Sequence, residues 1–351
     1  MSLSLISSKN NYDKSLKIVI SVGDESGIGP EVILKAMASN KYPRDIQTEI
    51  IGSKDNLLLT YKLLKSNGIS DIANPLNLNI KDIKIKNILS NDSKTNFGNK
   101  SFHYLKHAIK IVQTTPNTCL VTGPICKKSW ALAGHNYSGQ TELLAESCNS
   151  SHVGMLFTAK SPITGWRFNT LLATTHIPLM RISEELNHDL IFTKLNLLRD
   201  FAKKFNQNIS LKVAGLNPHA GEEGMLGAEE INLVEKSLST WKLNNPDTSI
   251  EGPISPDSCW LSSAKAWNQK DSIKHDGILA MYHDQGLIPM KIIAANYSVN
   301  TTLGLTFIRT SPDHGTGFDI AGKGIAQYQS MLEAIKTARE LSLNSSLLNS
   351  H

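Results

Sequence analysis

The stretch Leu16-Lys17-Ile18-Val19-Ile20-Ser21-Val22, followed by Gly23-Asp24-Glu25-Ser26-Gly27-Ile28-Gly29-Pro30, decides the fold class. Five of its first seven residues are apolar, and four of those, Ile18, Val19, Ile20 and Val22, are β-branched, as a strand requires. The glycines suit a tight turn. Pro30 suits the first turn of a helix over residues 31–38, where its fixed φ is already helical and its missing N–H has no partner to lose. Strand, glycine turn and helix in that order open an α/β domain. The spacing is not G-x-G-x-x-G, so it lends little support to a Rossmann pyrophosphate loop.

Outward from that stretch the unit recurs. Residues 118–121 read as a strand running into Thr122-Gly123-Pro124-Ile125-Cys126-Lys127, and residues 211–216 read as another. Helical periodicity follows over residues 228–241 and 327–341. The repeated unit predicts a mostly parallel sheet covered on both faces. A chain of 351 residues has room for two domains, each with a core of its own. The Asn- and Ser-rich tail 343–351 and the opening residues 1–6 are expected to be frayed.

Composition narrows the function. Lys and Arg number 36 against 31 Asp and Glu, a net charge of +5, but the basic residues are scattered, which argues against a nucleic-acid surface and for a few cations placed on a small anionic substrate. No stretch approaches the length of a membrane span, and the opening segment is too short and weakly charged for a secretory signal. Cys119, Cys126, Cys148 and Cys259 form no C-x-x-C pair and read as reduced thiols of a cytoplasmic protein.

Three histidines close short apolar runs: Leu171-Leu172-Ala173-Thr174-Thr175-His176, Val213-Ala214-Gly215-Leu216-Asn217-Pro218-His219 and Ile278-Leu279-Ala280-Met281-Tyr282-His283. Open α/β sheets bind ligands beyond the carboxyl ends of their strands, so imidazoles delivered to one rim would make a divalent-metal site with positions open to substrate. Any one of them alone reads equally as a structural histidine bonded to backbone. Their neighbours, Ile-Pro after His176, Asn-Pro before His219 and Asp-Gln-Gly after His283, are loop residues better suited to function than to core packing.

Taken together, Gly23-Asp24-Glu25-Ser26-Gly27-Ile28-Gly29-Pro30-Glu31, Thr174-Thr175-His176-Ile177-Pro178-Leu179, Leu216-Asn217-Pro218-His219-Ala220-Gly221-Glu222, Tyr282-His283-Asp284-Gln285-Gly286 and Arg309-Thr310-Ser311-Pro312-Asp313-His314-Gly315-Thr316 resemble the signatures of the 4-hydroxythreonine-4-phosphate dehydrogenase family. The resemblance runs in order over residues 18–326. It implies two α/β/α domains of the isocitrate/isopropylmalate dehydrogenase-like fold with the active site in the cleft between them. The expected division is a discontinuous cofactor domain, 1–125 with 300–351, and a substrate, metal and dimerisation domain, 126–299. It also implies a homodimer whose shared sites each hold one divalent ion (zinc, magnesium or cobalt) on His176, His219 and His283 drawn from both subunits.

The implied reaction is oxidation of the 3-hydroxyl of 4-phosphohydroxy-L-threonine by NAD or NADP, with decarboxylation to 3-amino-2-oxopropyl phosphate on the route to pyridoxal phosphate. A metal at the hydroxyl oxygen would favour loss of hydride and then polarise the ketone for decarboxylation. Gln140, Thr141, Lys291, Asn300 and Arg309 match the family's substrate-binding positions, and Lys291 and Asp284 are the groups available for proton transfer. Lys291 and Arg309 read alone would be surface charges. Asp284 reads equally as a cap or as a group orienting its histidine. Asp257 matches an acidic position of the family with no assigned role, and residues 264–274 read as a polar surface insertion.

Gln140 is the departure, since the family usually has Gly-His-Thr-Glu where this chain has Gly139-Gln140-Thr141-Glu142. Glutamine donates a hydrogen bond to an anion but cannot carry a proton at neutral pH. For the cofactor, Asp313-His314-Gly315-Thr316-Gly317-Phe318-Asp319-Ile320-Ala321-Gly322-Lys323-Gly324 is similar to the adenosine loop of the isopropylmalate dehydrogenase group, with His314, Gly315, Thr316, Asp319 and Gly322 as the binding positions. The alternative is a glycine-rich connection with no ligand. No arginine cluster marks a 2′-phosphate pocket, which favours NAD. Two other classes stay open: an acyltransferase of the phosphotransacetylase fold, which has no need of three metal histidines, and a non-catalytic metal-binding protein, which has no need of the nucleotide loop or Arg309.

Overall fold

The computed structural model of the protein describes residues 15–85 and 92–348. The opening segment 1–6 and the last three residues of the tail lie outside them. The strands are β1 Lys17–Ser21, β2 Gln47–Gly52, β3 Ile80–Asp82, β4 Thr118–Thr122, β5 Gly154–Lys160, β6 Arg167–Leu172, β7 Ile209–Ala214, β8 Thr248–Ile254, β9 Gly277–Ala280, β10 Val299–Leu303 and β11 Arg309–Pro312. They form one sheet in the order β3-β2-β1-β4-β11-β10-β5-β6-β9-β7-β8. From β3 to β11 neighbours are parallel, and from β6 to β8 they are parallel again. Between these halves, β10 and β5 are antiparallel to each other and to their outer neighbours. The expected parallel sheet is therefore two parallel halves of opposite sense joined at an antiparallel seam.

The helices are α1 Gly29–Ala38, α2 Lys54–Ser66, α3 Ser93–Thr114, α4 Lys127–Leu132, α5 Gln140–Ser147, α6 Ile182–Glu185, α7 His188–Ala202, α8 Glu235–Asn244, α9 Leu261–Asn268, α10 His283–Ala294 and α11 Gln329–Leu348. Strand β1 shows why its run is continuously apolar: Ile18 and Ile20 face a core with α1 and α11, while Val19 faces a second core with α3 and α4. The second half repeats the pattern, with Leu171 and Leu279 packed toward α7 and α8, and Leu172 and Ala280 toward α9 and α10. Full burial of each such side chain contributes about 1.5–3 kcal/mol, which holds helices on both faces of β1, β6 and β9.

Two expectations need correction. Residues 264–274 are not all surface, because Ala266 and Trp267 of α9 are buried in the core of the second half and only the segment after them is polar and largely exposed. The tail continues α11 as far as Leu348 instead of fraying at residue 343. The helix expected over 228–241 is divided into a π-helical turn, Glu230–Val234, and α8, which starts at Glu235. All four cysteines are free thiols, and among the described residues no helix is long and apolar enough to cross a membrane.

Candidate active site

A cavity of about 530 Å³ lies over one face of the seam. Directly paired residues on neighbouring strands share a face. The register pairs Asn300 with Phe157 and Ser311, and Thr302 with Met155 and Arg309, so these side chains face one side. The first half contributes the loop from Thr122 to Lys127 and the start of α5, and the second contributes His176 with His283, Leu287 and Lys291. Asp313, His314 and Gly315 border the same space.

Arg309 is the most unusual group there. Only 3% exposed, its guanidinium donates to Thr302 Oγ1 at 2.9 Å, Thr122 Oγ1 at 2.7 Å and Gln140 Oε1 at 3.4 Å. It has no ion pair among the described residues, and its Nε has no partner. Burial pushes its pKa down from 12.5 to about 10, against the opposing charge of Glu142. Asn300 Oδ1 and His314 Nε2 are likewise buried without partners. Orphaned polar atoms around one cavity are what a site built for a polar ligand presents.

Gln140 opens α5, and its Nε2 donates to the Gly123 carbonyl at 2.9 Å. One of its two amide N–H groups is thus bonded to backbone, while the amide oxygen accepts from Arg309. Thr141 lines the cavity beside it. Lys291 donates to the backbone carbonyl of Asp313 at 2.9 Å and pairs with its carboxylate at 2.6 Å.

The three histidines follow β6, β7 and β9, which run side by side in one direction, so they leave the sheet at the same edge as expected. Two of them meet: the rings of His176 and His283 lie 5.4 Å apart between centroids. Burial, with the nearby Lys127 and His283, lowers the pKa of His176 and favours neutral imidazole. His283 is tied through Nδ1 to Asp284 Oδ1 at 2.7 Å, which leaves its Nε2 free; Asp284 itself is exposed and does not line the cavity. His219 stands elsewhere, exposed, and among the described residues no three histidine, cysteine or carboxylate side chains cluster closely enough to hold a metal. Asp257 lies near His219; its carboxyl is held below the usual range by the Ser255 hydroxyl and by that histidine.

The glycine-rich loop is docked on the first half. The Thr316 carbonyl accepts from Ile28 N at 2.8 Å, and the Gly322 carbonyl accepts from Asn67 Nδ2 at 2.9 Å. Gly322 has φ +72° and sits against Leu63, where a Cβ would approach to 2.7 Å. Of the five expected cofactor positions His314 and Gly315 border the cavity, whereas Thr316, Asp319 and Gly322 do not, and Asp319 is exposed.

Glu31 closes the first of the quoted signatures without an assigned role, and Lys35 follows it by four residues on α1. They form a buried pair at 2.7 Å, and Lys35 also donates to the Gly324 and Ala326 carbonyls while Glu31 accepts from Ala326 N at 3.0 Å. The pair pins the far end of the glycine-rich loop to α1. Their i, i+4 spacing on a helix was the available signal, but it reads as an ordinary surface pair until burial is known.

The family model described as pyridoxal phosphate biosynthetic protein PdxA matches residues 34–338. A 4-hydroxythreonine-4-phosphate dehydrogenase of Synechococcus sp. (strain RCC307) is 46% identical over 328 residues, 93% of this chain and 99% of that protein. The crystal structure of the enzyme of that name from Klebsiella pneumoniae superposes with a TM-score of 0.76 at 29% identity, covering 93% of this chain and 98% of that one. A terephthalate 1,2-cis-dihydrodioldehydrogenase from Burkholderia xenovorans LB400 shares the fold, with a TM-score of 0.59 at 21% identity. With a family match over most of its length and a relative at 46% identity along nearly all of it, the chain belongs to the PdxA family of 4-hydroxythreonine-4-phosphate dehydrogenases.

Proposed function

We propose that the cavity over the seam oxidises the 3-hydroxyl of 4-phosphohydroxy-L-threonine with NAD or NADP, and that the product loses carbon dioxide to give 3-amino-2-oxopropyl phosphate. The observation that carries this reading is Arg309: a buried guanidinium with no carboxylate partner, beside the orphaned Asn300 Oδ1, calls for an anionic ligand with polar hydrogens. Arg309 binds the phosphate or carboxylate as a planar fork, and Asn300 orients a donor of the substrate. Gln140 acts through Arg309, holding it by the amide oxygen while one of its two N–H groups is fixed on Gly123. Lys291, bonded to the Asp313 carboxylate, is the group we assign to proton transfer at Nζ. Asp284 orients the His283 ring by accepting from Nδ1–H.

His176 and His283 fit a divalent ion of the zinc, magnesium or cobalt kind: they adjoin each other, one is kept neutral by burial and the other has Nε2 free. The third ligand we assign to His219 of a second copy of the chain. Large apolar side chains stand exposed close to each of the three histidines in sequence: Leu179 and Met180 after His176, Met225 and Leu226 after His219, and Ile288 and Ile292 after His283. Such a surface suits a self-complementary homodimer interface. His314 and Gly315 line the nicotinamide nucleotide's path, with Thr316, Asp319 and Gly322 along the loop toward its adenosine end. When bound, the ion supplies Lewis acidity and the nicotinamide supplies the acceptor for hydride.

The antiparallel seam supports two halves with the cavity in the cleft between them, close to the expected division into 1–125 with 300–351 and 126–299, except that α4 and α5 pack on the core of the first half and carry its boundary past Ser147. Free thiols at every cysteine suit a cytoplasmic enzyme. The test is formation of reduced nicotinamide on adding 4-phosphohydroxy-L-threonine, NAD or NADP and a divalent ion. Failure on that substrate with turnover of another phosphorylated hydroxy acid would favour the second reading, which rests on Gln140 standing where the family has histidine.

A further inference from the structure

Residues 219–223 form a left-handed helical turn. Their φ angles are 52°, 53°, 84°, 43° and 54°, and only Gly221 among them lacks a Cβ. Residues with side chains enter this region singly as a rule, so four of them in one run need an external constraint. That constraint is visible in one side chain. Glu230, 1% exposed at the start of the π-helical turn, accepts from Leu216 N and Asn217 N through Oε1, both at 2.7 Å, and from Asn217 Nδ2 through Oε2 at 2.9 Å. Its carboxylate also fills the space beside Gly221, where a Cβ would meet Oε2 at 2.8 Å. A second carboxylate, Glu229, takes the same Asn217 amide at 2.8 Å.

We infer that Glu230 is the positioning residue for His219. It fixes the backbone where β7 leaves the sheet, and so imposes the turn that carries the imidazole outward to a second copy of the chain. The inference rests on the reading of His219 as a metal ligand shared across a dimer. A buried carboxylate is costly unless its oxygens are satisfied. Here backbone and amide N–H groups satisfy them, and what the arrangement fixes is the conformation of the histidine turn. The π-helical turn places Glu230 out of step with the helix after it, and single π turns recur where a side chain has been redirected toward a site.

The test is titration of the full-length, metal-free protein with Co²⁺, followed by the visible absorption of the bound ion and by its dissociation constant. Glu230→Gln keeps the volume but turns an N–H₂ toward donors. It is expected to weaken Co²⁺ binding about 10–100-fold, the range for loss of a group that orients a metal ligand, with the far-ultraviolet circular dichroism unchanged. Adding Glu222→Gly, which removes the side chain from a residue at φ 43°, should recover part of the loss, because glycine adopts that region freely. A Glu230→Gln protein with wild-type Co²⁺ affinity overturns the inference, provided His219→Ala loses affinity. If His219→Ala also binds Co²⁺ like the wild type, the ligand reading itself has failed. Should Glu230→Gln not fold, Glu230→Asp, which withdraws the carboxylate by one methylene, is measured the same way with the same expected loss, and wild-type affinity there overturns the inference equally.

Discussion

Replacing Arg309 by methionine should make the empty protein more stable and leave it unable to recognise its substrate. The fall of the Arg309 pKa from 12.5 to about 10 corresponds to roughly 3 kcal/mol of unfavourable charge burial. The folded value is the lower one, so the guanidinium is charged in both states at every pH below about 10 and the full cost is carried at neutral pH; it would shrink only as the pH rose from there toward 12.5. Against this stand the bonds to Thr302, Thr122 and Gln140, worth about 0.5–1.5 kcal/mol each for ordinary hydrogen bonds and less for the long one. The difference leaves Arg309→Met about 1 kcal/mol more stable, a rise of roughly 1–2 °C in Tm for a chain of this size. An anion at about 100 times its Kd should then stabilise the wild type by about 2.7 kcal/mol and the variant hardly at all. Thermal unfolding with and without inorganic phosphate or substrate measures both quantities, and steady-state kinetics should show kcat/KM reduced at least about tenfold. A variant that melts well below the wild type without anion, or that keeps the anion-dependent rise, would refute the argument and make Arg309 a structural residue.

Three further outcomes follow from the same geometry. Mixing inactive His176→Ala and His219→Ala proteins under subunit exchange should restore part of the activity, because one site of each mixed dimer regains all three ligands; mixed dimers without activity would mean each site is built within one chain. Gln140→His loses the amide oxygen that holds Arg309, so KM for the phosphorylated substrate should change more than kcat, and a large gain in kcat with a new ionisation between pH 6 and 9 would contradict that. Glu31→Gln should loosen the end of the glycine-rich loop and raise KM for the nicotinamide nucleotide several-fold with little change in KM for substrate; equal effects on both would show that the pair only supports the fold.

Strand identity was legible because interior strands buried on both faces must be continuously apolar, as Ile18, Val19 and Ile20 are. The reversal of sense at the seam was not, because nothing in the residues of β5 and β10 distinguishes an antiparallel neighbour from a parallel one. The edge shared by His176, His219 and His283 could be inferred from the runs before them, yet which two would meet depends on strand order, and the chain does not spell that out. Trp267 was misjudged for the opposite reason: its polar neighbours suggested a surface loop, and one aromatic side chain carried the segment into the core. Glu230 gave no sign, and Lys35 only the spacing of an ordinary surface pair, since a charged residue announces burial only through partners that the fold brings from elsewhere.

The seam also sets an order of events on the ribosome. Strands β5 to β9 belong to one continuous stretch, so the second half holds nearly all its own elements once residue 294 has emerged. The first half does not. Its strand β4 waits for β11 at residues 309–312, and its core waits for Met331, Leu332 and Ile335 of α11. Until then β1, β2 and β4 present an open edge and an uncovered apolar face, the combination that draws chains into aggregates or onto chaperones. A chain stopped short of α11 would therefore release a nearly finished second half tethered to an unfinished first one, and the segment that completes the Arg309 side of the cavity is synthesised only after that second half.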